Sequence, residues 1–193
     1  VLHAVGATVV VTARRAERLE ALVADLPGAL SIVADVAAPA DRERLIGETL
    51  ERAGRIDVLV NNAGIAEVVG IEQESLELFE RVLNINTTAV WHLAKLCVPH
   101  MVERGSGSIV NVASMLGHVG SAPVKQANYC ASKGAVVNLT RELALQLGIR
   151  STELVDRARS LGLDVGPSSF LDPSQVERLR RADVPPPPSA SPS

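Results

Sequence analysis

Runs of β-branched and aliphatic residues alternate with longer amphipathic stretches over residues 1–150. Ala7-Thr-Val-Val-Val-Thr12, bounded by Gly6 and Arg14-Arg15, predicts a strand. A helix is expected from Ala16 to about Leu26, stopped by Pro27-Gly28. Ala29 to Ala34 predicts a second buried strand, and Asp41 to Ala53 a helix with Leu45, Ile46, Thr49, Leu50 and Ala53 on one face. Ile56 to Val60 predicts a third strand, ending in Asn61-Asn62-Ala63-Gly64. A long helical region follows over about Ser75 to Glu103, with Leu76, Phe79 and Leu83 on one stripe. Ser108 to Val112 predicts a fourth strand, and Gln126 to Leu147 a last long helix with Val136, Leu139, Leu143 and Leu147 on one side.

Strands joined by helices require parallel pairing, with helices on both faces of the sheet. The expected fold class is therefore α/β, a doubly wound parallel sheet. Ligands of such sheets sit beyond the carboxyl ends of the strands. Those ends are Ala13-Arg14, Asp35, Asn61 to Gly64 and Ser114, and the unusual polar residues fall there.

Composition narrows the function. The 193 residues are 47% hydrophobic and 21% charged, which suits a globular chain. No apolar run approaches the roughly 20 residues of a membrane span, and no secretion signal is visible. The net charge of −3 and the 2% aromatic content argue against nucleic acid as a partner. Cys97 and Cys130 form no disulfide framework, so a cytoplasmic, reducing setting is expected. His3, His92, His100 and His118 show no ligand spacing, and no metal site is expected. Glu67, Glu72, Glu74, Glu77 and Glu80 read as a solvated face.

The main candidate chemistry is Tyr129-Cys-Ala-Ser-Lys133. Residues four apart share a helix face. An ammonium beside a phenol favours the phenolate, which makes the tyrosine a proton donor or acceptor nearer neutral pH. Ser114 closes the preceding strand, where a hydroxyl can hold a carbonyl oxygen. The small residues of Asn61-Asn62-Ala63-Gly64 let a flat ligand approach the backbone. Asn86 lies within a helical stretch that it suits poorly. Such an Asn commonly faces solvent, and a functional one kinks the helix or holds a water.

Taken together, the Asn-Asn-Ala-Gly strand end, the serine ahead of the helix and the Tyr-x-x-x-Lys pair resemble the short-chain dehydrogenase/reductase family over roughly residues 1–150. The resemblance implies Tyr129 as general acid/base, Ser114 as the group that polarises the carbonyl, and Asn86 as anchor of a relay water. Lys133 would tune Tyr129 and hold the nicotinamide ribose. It further implies reversible hydride transfer to a small carbonyl or alcohol substrate, with Asn62, Ala63, Gly64, Tyr129 and Lys133 against the cofactor. Asp35 and Val36 would meet its adenine. Arg14, where an acidic residue would favour NAD(H), is expected to grip a 2′-phosphate, so NADP(H) is favoured with NAD(H) as the alternative. A homodimer or homotetramer through helices 75–103 and 126–147 is implied as well.

The chain also departs from the family. No Gly-rich turn opens it, and Val1 to Gly6 resembles the end of the helix that follows that turn. A first, central strand is thus expected to be lacking. After Arg150 the sequence resembles the family's lid helices. The expected organisation is a truncated Rossmann-like core over 1–150, a lid-like helical segment over 151–183 and a disordered Pro/Ser tail over 184–193. An inactive relative acting as a scaffold subunit is the alternative.

Overall fold

A computed structural model of the chain describes residues 2–147. Four short strands alternate with helices: β1 (Val10–Ala13), α1 (Ala16–Ala24), β2 (Leu30–Val33), α2 (Pro39–Ala53), β3 (Val58–Asn61), α3 (Leu76–Leu83), α4 (Ala89–Arg104), β4 (Ser108–Asn111) and α5 (Ala127–Gln146). The expected segments 151–183 and 184–193 lie outside the described residues.

The strands pair in parallel, β1 with β2 and β3 with β4, as strand–helix alternation requires. The register sets Val10 opposite Leu30 and Asn61 opposite Asn111. Two two-stranded sheets result, and the outer edge of every strand lacks a ladder partner among the described residues.

One core serves both pairs. Ile32 and Ala34 from the β2 side, Leu45 and Ile46 of α2, Ile56 ahead of β3, and Leu93, Cys97 and Met101 of α4 are buried together. Each large aliphatic side chain buried there contributes roughly 1.5–3 kcal/mol. α2 packs on α4, and α4 on β3 and β4. The other face of the β3–β4 pair carries Val58, Val60, Val110 and Val112, each 41–49% exposed.

The helix ends follow from local sequence. Pro39 opens α2 with its φ already helical and no N–H to satisfy, and Gly54 closes it at φ 77°. Ser75 caps α3 by accepting from Leu78 N.

The region expected as one helix over 75–103 is α3 and α4 joined by a π-helical turn at Asn84–Thr88. A π turn inserts an extra residue and re-aims its side chains. Here it turns Asn86 inward, fully buried rather than solvent-facing. Residues 2–139 belong to one compact unit. In the second unit the described residues 140–147 contain the end of α5, where Gln146 Nε2 donates to Glu142 Oε1.

Candidate active site

The carboxyl ends of β3 and β4 are tied together, since Asn61 Nδ2 donates to Asn111 Oδ1 at 2.9 Å. Asn62, Ala63 and Gly64 follow as an exposed stretch. Asn86, 0% exposed, then holds the next residue by both main-chain groups. Ile65 N donates to Asn86 Oδ1 at 2.8 Å, and Asn86 Nδ2 donates to Ile65 O at 2.8 Å. The other amide hydrogen of Asn86 reaches Ser132 Oγ on α5 at 2.9 Å. A buried amide with both hydrogens used is worth far more to the fold than a solvated one, because losing it strands its partners.

Ser132 carries the chain of bonds onward. Its hydroxyl donates to Tyr129 O at 2.8 Å, while Thr87 Oγ1 donates to Ser132 O at 3.1 Å. Lys133, 4% exposed, points back along α5, as helical side chains do. Its Nζ donates to Val112 O at 2.6 Å and lies 5.7 Å from the centre of the Tyr129 ring. Burial pushes the Lys133 ammonium below the usual lysine range.

Glycine is needed in two places. A Cβ on Gly64 would stand 3.3 Å from Asn86 Oδ1 and 3.6 Å from Lys133 Nζ, so its absence leaves room beside the ammonium. A Cβ on Gly117 would come within 2.8 Å of the Lys133 carbonyl group. Gly117 ends the 3₁₀ turn that Ser114 caps by accepting from Leu116 N at 3.2 Å. This close approach seats the Ser114 turn against α5 at Lys133. Gly64, Asn86, Ser132, Lys133 and Tyr129 thus converge, with Ser114 two residues beyond the carbonyl that Lys133 binds.

The other candidate residues sit apart, at the ends of β1 and β2. Arg14 and Arg15 are exposed. Asp35 Oδ1 accepts from Ala37 N at 2.9 Å, the turn-forming use of a strand-end Asp. Sequence reasoning missed the groups behind this loop. Asp41 Oδ2 accepts from Asp35 N at 2.7 Å, Arg42 Nη1 donates to Val36 O at 2.8 Å, and Asn84 Nδ2 donates to Ala37 O at 2.9 Å. Asp35 N, and then Arg44, hold the Asp41 carboxyl below the usual carboxylate range.

It also missed Asn128 and Glu74. Asn128, 0% exposed, donates through Nδ2 to Glu67 O at 3.3 Å and to Glu74 Oε1. The expected solvated face of glutamates is therefore corrected at Glu74, which binds a buried amide. Glu67 in turn pairs with Arg81 at 2.6 Å. No local signal links positions 54 apart in the chain, as Glu74 and Asn128 are.

The residues gathered around Lys133 fit a nicotinamide ribose. The space left by Gly64 beside a buried ammonium suits a hydroxylated ring at that strand end. Beyond β2, the pinned Asp35–Ala38 loop offers a fixed edge for a flat base.

Comparison with known proteins identifies the family. The short chain dehydrogenase family matches residues 1–155. The chain is 35% identical to the 3-oxoacyl-(acyl-carrier-protein) reductase FabG of Thermotoga maritima, covering 90% of this chain and 68% of that one. It is 36% identical to the carbonyl reductase (NADPH) 2 of Sus scrofa, covering 76% and 58%. The crystal structure of a short-chain dehydrogenase from Streptomyces avermitilis superposes with a TM-score of 0.71 at 36% identity, covering 75% of this chain and 53% of that one. The chain thus spans between about half and two thirds of the proteins it matches. With four parallel strands, a Tyr-x-x-x-Lys helix and a family match over most of its length, the chain belongs to the short-chain dehydrogenase family.

Proposed function

We propose that this chain carries the proton-transfer half of an oxidoreductase that interconverts a small carbonyl and its alcohol with NADP(H). The observation that carries the reading is the convergence of Lys133 Nζ, the Tyr129 ring and Gly64 at one strand end. The nicotinamide, when bound, supplies or takes up the hydride at the substrate carbon. In the reducing direction the Tyr129 hydroxyl gives its proton to the carbonyl oxygen. The Lys133 ammonium, in a poorly solvated site, stabilises the charge left on the phenol oxygen. The Ser114 hydroxyl accepts from Leu116 N and keeps its own proton to donate to the substrate oxygen.

Asn86 holds the Ile65 main chain and Ser132, and Ile65 O is where a relay water would be received. Arg14, exposed at the end of β1, favours a 2′-phosphate over a bare ribose. Asn62, Ala63 and Gly64 would lie along the cofactor, with Asp35 and Val36 against its adenine. The reading extends to self-association through α4 and α5, where Trp91 is 44% exposed, and to a reducing cytoplasm, in keeping with two free cysteines.

The test is NADPH consumption with a panel of carbonyl compounds. Tyr129→Phe is expected to lower turnover by about 10²–10⁴-fold with an unchanged unfolding midpoint. A variant that turns over as the parent does removes Tyr129 from the chemistry.

A further inference from the structure

The segment between β3 and α3 is fastened to the start of α5 at several points. Val69 N donates to Lys125 O at 2.9 Å, and Val69 forms an isolated parallel bridge with Gln126. Asn128 follows in the first turn of α5, wholly buried, immediately before Tyr129. Its Nδ2 donates to Glu67 O and to the Glu74 carboxylate. Its Oδ1 is buried with no hydrogen-bond partner. The amide is therefore held by its hydrogens alone. The reversed amide would turn an oxygen toward two acceptors, so Glu74 and Glu67 O fix its sense.

Glu74 is itself anchored. Its N donates to Gly70 O at 3.0 Å, and the next residue, Ser75, caps α3. Tyr129 thus lies between two fastenings of one helical turn, Asn128 before it and Ser132 after it, the latter held by Asn86. Among the described residues Glu74 makes no hydrogen bond or ion pair to the phenol or to Lys133, and its bond to Asn128 reaches the turn that carries both.

We propose that Glu74 is a positioning residue: through the Asn128 amide it fixes the first turn of α5 and so aims the Tyr129 hydroxyl. The proposal rests on the reading of Tyr129 as proton donor. What Glu74 supplies is an acceptor oxygen at a set place, so glutamine can replace it and alanine cannot. Misplacing a reacting group by a fraction of an ångström is enough to slow a reaction tenfold or more without weakening binding.

The chain has a single tyrosine, so ring-¹³C-tyrosine labelling of the full-length chain reports Tyr129 alone in an NMR spectrum, with no turnover needed. Glu74→Ala is expected to shift and broaden that signal. Its kcat should fall about tenfold while the carbonyl KM stays within about twofold. Glu74→Gln is expected to overlay the parent in both. Glu72→Ala, which removes only an exposed partner of Lys125, should also leave the ring signal in place. Should Glu74→Ala fail to fold, Glu74→Asp decides, because it draws the acceptor back by one methylene and must displace the signal. An unmoved ring signal in Glu74→Ala or Glu74→Asp overturns the proposal, as does equal loss in Glu74→Ala and Glu74→Gln. A parent chain without turnover sinks the reductase reading while the ring signal still decides the role of Glu74.

Discussion

On the β3–β4 side, Asn86, Ser132 and Lys133 are buried and bound to one another or to the main chain, and Asn128 is buried beside them. At the end of β1, Arg14 and Arg15 stand exposed, and neither side chain has a hydrogen-bond or ion-pair partner among the described residues. The two regions belong to one core, and the proposed function gives each a different task. Groups that move a proton must be held at fixed distances before the substrate arrives, and that fixing comes from the protein's own hydrogen bonds. Groups that recognise a charged ligand can stay solvated until the ligand supplies their partners. The Asp35–Ala38 loop stands between these extremes, its backbone pinned by Asp41, Arg42 and Asn84 while part of its surface stays open.

Stability measurements should separate the two regions. The largest effect is expected from Asn86→Ala, which leaves Ile65 N and Ile65 O without their side-chain partner and takes one of its two bonds from the buried Ser132 hydroxyl. A loss of about 2–4 kcal/mol in urea unfolding is expected. Arg14→Ala is expected to change stability by less than about 0.5 kcal/mol. It should instead raise the Kd of NADPH about tenfold and leave NADH nearly unaffected, as titration calorimetry would show. Equal weakening of both cofactors would remove the 2′-phosphate role, and a destabilisation to match Asn86→Ala would erase the contrast itself.

The smallest effect belongs to the intermediate loop. The Asp41 carboxyl is held below its ordinary value of 3.8 in the folded chain. Its contribution is therefore present above that value and is lost as the pH falls through the lower folded value. The difference in urea midpoint between the parent and Asp41→Ala should be widest near neutrality and close below a pH of about 4. A difference that persists unchanged in acid would show that the Asp35 N–H does not depend on the carboxylate.

Much of this arrangement is written locally in the chain. Tyr129 and Lys133 are four residues apart, so any helix brings them to one face, and the apolar runs at β1 to β4 need only parallel partners. The residues that fasten the site are of another kind. Asn86 reads as a poor helix former until the π turn at Asn84–Thr88 is known, because only the extra residue points it at Ile65. Glu74 lies among glutamates whose spacing suits a wet surface, and nothing nearby distinguishes it from Glu72 or Glu77. Its partner Asn128 is brought to it by the tertiary fold alone. Gly117 likewise reads as an ordinary turn glycine, although the Lys133 main chain leaves no room there for a methyl group. Local pattern announces the candidate Tyr129–Lys133 pair, and distant pairing supplies what holds it still.

Among the described residues, β1, β2, β3 and β4 each keep one edge without a ladder partner. The carbonyls of Ser31 and Val33 on β2 already accept from Arg52 and Arg44, whereas the free side of β3 and β4 carries half-exposed valines and is the readier template for an extended segment. An extended segment laid along that side, from the same molecule or a neighbour, would shield those valines as it paired.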